Sequence, residues 1–264
     1  LKELDRTKDA FLSSVSHELR TPLTSIRSFS EILLNYDDHR PETLEEFLAI
    51  INRESERLTR LIDDIMDLAK IDARKMEWNL QRLVPGAVVR KATEGVRGLL
   101  LEGGLDLEID IPTGLPTFEM DEDRFLQVLT NLLGNAIKFT PRGGRIRVQV
   151  ACEGEEGSST TGDSLHLLVA DTGVGIPPEE LPHIFERFKQ VGDTLTDKPK
   201  GTGLGLSICT ETLSYLGGRI WAESVPGEGS TFHVVVPINS PLRVTAGERS
   251  CDPEASAGLL DEDR

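Results

Sequence analysis

Residues 11–33 read FLSSVSHELRTPLTSIRSFSEIL, with apolar side chains recurring at Phe11, Val15, Leu19, Pro22, Ile26, Phe29 and Leu33. Steps of three and four residues are the heptad spacing of a helix with one apolar stripe. The spacing returns at Leu44, Phe47, Ile51, Leu58, Leu61, Ile65 and Leu68, with Glu54 interrupting it. Between the two, NYDDHRPE (Asn35–Glu42) is polar and contains Pro41, which reads as a helix–helix loop. A lone two-helix hairpin buries its stripe poorly, whereas two hairpins make a four-helix bundle. The pattern therefore predicts a helical hairpin over residues 1–75 that forms a homodimer.

Within this stretch His17 lies two residues from both Val15 and Leu19. Two steps on an α-helix turn about 200°, so His17 points away from the stripe. Thr21 shares its face, and Glu18 is near enough around the helix to approach the imidazole. Pro22 cannot donate to the carbonyl of Glu18 and should bend the helix beyond His17, at a local cost of about 3 kcal/mol. Such strain is more often kept at functional sites than in plain bundle faces. A neutral imidazole nitrogen is a nucleophile, and a neighbouring carboxylate can take up the other ring proton. A surface histidine on a helix is ordinary by itself; the residues around it carry the reading.

The chemistry changes after residue 75. Strands are expected at Leu105–Ile109, Ile146–Val150, Leu165–Ala170, Arg219–Glu223 and Thr231–Val236, and helices at Phe125–Phe139 and Leu204–Leu216. This alternation predicts a second domain over residues 76–239, an α/β sandwich with one sheet and a helical layer. Glu153–Asp163 reads as a loose hairpin loop, and residues 240–264 as a disordered tail.

Composition excludes several classes. The 264 residues leave room for one large or two modest domains. With 29 basic and 45 acidic residues the net charge is −16, unsuited to coating nucleic acid or an anionic membrane. Cys152, Cys209 and Cys251 form no C-x-x-C pair, which argues against a disulfide framework or zinc site and for a reducing, cytoplasmic setting. No apolar run approaches the ~20 residues of a membrane span, and no signal peptide is visible. The chain begins at Leu1 inside a charged helical pattern, which reads as a fragment of a longer protein, one compatible with a membrane anchor elsewhere.

Four segments of the second domain suit a nucleotide. On the helix 125–139, Asn131, Asn135 and Lys138 share the face opposite the apolar residues; carboxamide oxygens suit Mg²⁺ and a lysine suits phosphate, although a solvated polar face is the commoner meaning. Asp171-Thr172-Gly173-Val174-Gly175 follows a strand, so a carboxylate there could read an adenine amine, or the segment could be only a tight turn. Gly201-Thr202-Gly203-Leu204-Gly205 opens a helix, where backbone N–H groups face phosphate oxygens. The polar loop before it argues against a dinucleotide-binding strand–turn–helix, and no P-loop pattern occurs. Phe185-Glu186-Arg187-Phe188 lies between, followed by a polar stretch suited to closing over a ligand.

Ser16-His17-Glu18-Leu19-Arg20-Thr21-Pro22-Leu23 closely resembles the H-box of sensor histidine kinases. The order of the four later segments resembles the N, G1, F and G2 boxes of the same family, whose ATP-binding domain has the GHKL fold shared with gyrase, Hsp90 and MutL proteins. The resemblance runs over 122–236 and includes Gly229-Ser230-Thr231-Phe232. It implies that His17 accepts a phosphoryl group from ATP, that Glu18 is its acid/base partner and that Thr21 orients a water for dephosphorylating the partner. It implies Asn131 and Asn135 at Mg²⁺, Lys138 near the phosphate tail, Asp171 at adenine, and Gly173, Gly175, Gly201, Gly203, Gly205 and Thr231 around the nucleotide. The implied partners are a second copy and a response regulator receiver domain, with no nucleic acid and no membrane contact in this stretch. In one place the sequence departs from the pattern: Gln190 stands where many members carry an arginine suited to the γ-phosphate, with Arg187 and Lys189 as the nearby cations. Two other readings are an ATPase of the Hsp90 or MutL kind without a phosphohistidine, and a scaffold that binds no ATP. The histidine segment within a dimeric hairpin opposes the first, and the asparagine and glycine motifs oppose the second.

Overall fold

The computed structural model describes residues 2–35, 40–153, 163–190 and 202–239, with side chains from Ser13 onward. The expected tail 240–264, most of the 153–163 loop, Gly201 and the polar stretch 191–200 lie outside the described residues. Elements follow in the order α1 (Lys2–Asn35), α2 (Pro41–Asp72), β1 (Leu80–Leu83), α3 (Pro85–Gly95), α4 (Arg97–Gly103), β2 (Asp106–Asp110), β3 (Phe118–Asp121), α5 (Glu122–Phe139), β4 (Arg145–Glu153), β5 (Ser164–Asp171), α6 (Gly205–Tyr215), β6 (Arg219–Val225) and β7 (Gly229–Pro237). Among the described residues no helix is long and apolar enough to cross a membrane.

The chain packs as two compact units. The first comprises Leu1–Glu77, Thr172–Thr212 and Glu223–Ser230. Its long helices α1 and α2 are the heptad segments, and Phe29 meets Phe47 with ring centroids 5.1 Å apart. α1 continues through Pro22, which is buried. The loop is shorter than Asn35–Glu42: Asn35 ends α1 and Pro41 begins α2, because a proline is tolerated in the first helical turn where its missing N–H has no intrahelical partner. On α2, Leu61 and Leu68 are buried with Leu204 and Ile208, and Leu19, Ile65 and Phe188 pack against them. Leu23, Leu34, Leu44, Leu48, Ile62 and Met66 remain exposed on the same two helices.

The second unit comprises Trp78–Asp171, Leu213–Ala222 and Thr231–Arg264. Its sheet has strand order β2-β4-β5-β7-β6, with β2 parallel to β4 and β4 antiparallel to β5. Alternate residues Ile146, Val148, Val150 and Cys152 of β4 and Leu165, Leu167 and Val169 of β5 are buried, the signature of a sheet with one face in the core. Against that core α5 buries Phe125, Val128, Leu129, Leu132, Leu133 and Ala136. Asp121 caps α5: its Oδ1 accepts from Arg124 N at 3.1 Å and its Oδ2 from Asn79 N at 2.8 Å. The single sheet expected from sequence is joined by a second, two-stranded one, β1 with β3, paired antiparallel from Leu80↔Asp121 to Leu83↔Phe118. These strands and the helices α3 and α4 were not read from the sequence.

Candidate functional site

His17 projects into solvent with its side chain 78% exposed, as its helical phase requires. Its Nδ1 lies 3.8 Å from Glu18 Oε1. The other oxygen of Glu18 accepts from Arg57 Nη2 at 3.3 Å, and Arg57 in turn reaches Glu54 Oε2 at 3.7 Å. Glu18 is thus steadied from α2 while one oxygen faces the imidazole, which leaves Nε2 of His17 as the ring nitrogen pointed away from this pair. Glu54, the residue that broke the apolar pattern of α2, belongs to this chain of charges. Thr21 Oγ1 donates to the His17 carbonyl at 3.2 Å, a bond within the helix that fixes the hydroxyl beside the histidine.

In the same unit, the two described glycine turns meet other backbone closely. Gly175 has φ +70°, and a Cβ there would lie 2.2 Å from the Val225 carbonyl oxygen. Ser224 Oγ accepts from Ile176 N at 2.8 Å and donates to Gly229 O at 2.8 Å, tying the turn after Asp171 to the β6–β7 hairpin. Gly203 also has φ +70°, and a Cβ would meet Phe188 Cα at 2.8 Å, while Phe188 N donates to Gly203 O at 2.8 Å. Phe188 itself adopts φ +63°, an uncommon backbone state for a bulky residue. Gly205 begins α6, and Leu204 N donates to Thr202 Oγ1 at 3.2 Å. Gly173 is buried.

The remaining predicted residues stand in the second unit. Asn131, Asn135 and Lys138 are half-buried on the side of α5 away from its core residues. Lys138 lies in the last turn, where a cation is favoured by the helix dipole, with Nζ 4.8 Å from the Phe139 ring centroid. Asp171 is a buried carboxylate at the end of β5, and Thr231 is half-buried in β7. The donor set on these elements, two carboxamides, one ammonium and one buried carboxylate, fits a magnesium–nucleotide: amide oxygens for the cation, ammonium for phosphate and carboxylate for an amine.

The sequence reading did not find the contacts that engage the F-box and G2 residues. Arg187 Nη1 and Nη2 donate to both carboxylate oxygens of Asp72 at 2.8 and 2.7 Å, and Nη2 also to Glu211 at 3.2 Å. Lys189 Nζ lies 2.8 Å from Glu180 Oε2, so both cations near Gln190 are held by carboxylates in this structure. Thr202 Oγ1 donates to Asp64 Oδ2 at 3.1 Å. Burial pushes the Asp64 carboxyl up to about 6, and the Thr202 bond only partly opposes this. The Arg187 bonds hold Asp72 below the ordinary carboxylate value.

The chain matches two protein families. Residues 7–74 match the His Kinase A (phospho-acceptor) domain, and residues 120–240 the histidine kinase-, DNA gyrase B- and HSP90-like ATPase. It is 37% identical to the non-motile and phage-resistance protein of Caulobacter vibrioides over 91% of this chain and 28% of that protein. It is 33% identical to the sensor histidine kinase WalK of Bacillus subtilis over 89% of this chain and 38% of that protein. The chain therefore spans between about a quarter and two fifths of these relatives' length. Among solved structures, ShkA in complex with AMPPNP is similar with a TM-score of 0.62 and 28% identity, over 88% of this chain and 46% of that one.

Proposed function

The chain belongs to the histidine kinase family, and from that premise we propose that it is the kinase core of a sensor histidine kinase, which autophosphorylates His17 and passes the phosphoryl group to an aspartate of a response regulator. The observation that carries the reading is the solvent-facing His17 with Glu18 Oε1 at 3.8 Å from its Nδ1. Glu18 takes or orients the proton at Nδ1, which makes Nε2 the nucleophile. Bound ATP with Mg²⁺ supplies the phosphoryl group. Asn131 and Asn135 hold the cation, Lys138 the phosphates and Asp171 the adenine amine. Gly173, Gly175, Gly201, Gly203, Gly205 and Thr231 complete the nucleotide site. The rate rests on positioning and charge neutralisation, as in other phosphoryl transfers. Thr21 serves a separate dephosphorylating reaction, orienting a water that hydrolyses the phosphoryl group from the receiver domain.

We assign residues 1–75 to dimerisation and phosphotransfer and 76–239 to ATP binding. The exposed apolar residues of α1 and α2 support a homodimer through the hairpin. The test is incubation with γ-labelled ATP and Mg²⁺, followed by acid treatment. The label is expected on the wild type, to be lost in acid and to be absent from His17→Gln. Label retained by that variant, or stable to acid, overturns the assignment of the acceptor.

A further inference from the structure

The glycine turn after Asp171 takes its shape from the tip of the β6–β7 hairpin. That tip reads Val225-Pro226-Gly227-Glu228, and proline followed by glycine is the pair a type II turn favours. Gly227 has φ +82°, as the third position of such a turn requires, and Glu228 N donates to Val225 O at 3.0 Å. The turn's own bond uses the amide of Glu228, which leaves that of Gly227 to donate to Val174 O at 2.8 Å. On the other side of Gly175, Ile176 N donates to Ser224 Oγ at 2.8 Å. Gly175 itself lies flush with the hairpin, where a Cβ would also meet Pro226 Cα at 2.8 Å.

The contact on the Ile176 side depends on a side chain, and the hydroxyl of Ser224 works there at full capacity. A hydroxyl has one hydrogen to give and two lone pairs. Ser224 Oγ lies 2.8 Å from Gly229 O, a carbonyl that can only accept, so its hydrogen goes there. The lone pairs are left for Ile176 N and for Ser230 Oγ at 3.0 Å, which makes Ser230 the donor of that pair. Gly229 and Ser230 are buried, so removing the hydroxyl leaves polar groups unmatched where water reaches poorly. Alanine at position 224 would release the turn at Ile176 while the Gly227 bond keeps it close.

We propose that Ser224 is a positioning residue for the nucleotide base: by holding Ile176 it keeps the Gly173–Gly175 turn in the shape that admits adenine. It thereby sets the preference for adenine over guanine nucleotides. The inference rests on the reading above that Asp171 accepts from the adenine amine. A carboxylate placed for that amine faces a carbonyl oxygen in guanine, and two acceptors repel. Discrimination then depends on how firmly the carboxylate is held. A turn fixed on both sides of Gly175 leaves the chain leading from Asp171 little freedom.

The test uses the full chain and measures affinity for non-hydrolysable analogues of ATP and GTP, with the KM and kcat of autophosphorylation. Ser224→Ala is expected to weaken binding of the ATP analogue about tenfold, and of the GTP analogue far less. The loss should appear in KM for ATP rather than in kcat. Ser224→Thr keeps the hydroxyl and should restore both affinity and preference. If Ser224→Ala does not fold, Ser224→Cys, whose thiol bonds weakly, carries the same expectation. Equal weakening of both analogues, a fall in kcat with KM unchanged, or no change overturns the proposal, because a merely stabilising serine would not move the ratio. Asp171→Asn, whose amide can turn an oxygen or an NH2 toward the base, separates the two readings. If it leaves the ATP preference intact, the adenine reading falls and the proposal with it. If it abolishes the preference and Ser224→Ala does not, the role of Ser224 alone falls.

Discussion

Asp64 is a carboxylate that burial has moved into the range of neutral buffers, with a value of about 6. Its folded value lies above the ordinary 3.8, so the fold favours the protonated form. The stability contributed by that proton is therefore fully present below pH 3.8 and is lost as pH rises through about 6. Asp64→Asn keeps a polar partner for Thr202 and removes the titration. It is expected to raise stability at pH 7.5 by about 1 kcal/mol, given the group's partial solvent contact. A wild-type melting temperature that tracks the variant's in parallel from pH 4 to pH 7 would rule Asp64 out. Asp72 has the opposite sign, because Arg187 depresses it and its contribution disappears as pH falls below the carboxylate range. Gly175 tolerates no Cβ, which would lie 2.2 Å from the Val225 oxygen. Gly175→Ala should lower the melting temperature and weaken nucleotide binding together, as thermal shift with and without an ATP analogue would show.

At the scale of elements, the segment between α2 and α6 is held by a fork: Arg187 spans Asp72 and Glu211. The geometry is bidentate but partly solvent-exposed, so a double-mutant cycle of Arg187→Ala and Asp72→Ala is expected to give a coupling of about 1 kcal/mol. A coupling near zero would show the fork to be surface decoration. If the contact also occupies Arg187 away from nucleotide, Asp72→Ala will raise the autophosphorylation rate while Arg187→Ala will not. The helix α5 presents the other element-scale expectation. Its Asn131 and Asn135 stand apart from a fully apolar core side, so Asn135→Ala should leave the fold intact and reduce autophosphorylation at least a hundredfold, measured at saturating Mg²⁺. These two elements also mark the limits of what could be read in advance. The face of α5 follows from the 3.6-residue period, whereas Arg187 and Asp72 are 115 positions apart and share no local pattern.

At the scale of the molecule, Leu48, Ile62 and Met66 are exposed on α2, whose heptads continue past them. In a hairpin of this kind an uncovered stripe is the surface a second hairpin would bury. Leu48→Glu combined with Ile62→Glu is expected to shift the sedimenting species to monomer and to reduce autophosphorylation. Retention of a dimer would place the interface elsewhere.

The sequence alone determined the two helical periods, the solvent face of His17, the core face of α5 and the order of the nucleotide segments, because each is a property of neighbours within a turn or two of the chain. Only the tertiary structure decided the rest. β1 and β3 are four residues each and exist through their pairing with one another, too short for a period to declare them. α3 begins with Pro85-Gly86, a pair that reads as a turn until packing draws it into a helix. Asp64 is raised to about 6 only because the fold buries it, and the Thr202 hydroxyl that bonds it lies 138 positions away. Burial and ion pairing are set by what lies across space, and a local pattern carries no record of that distance.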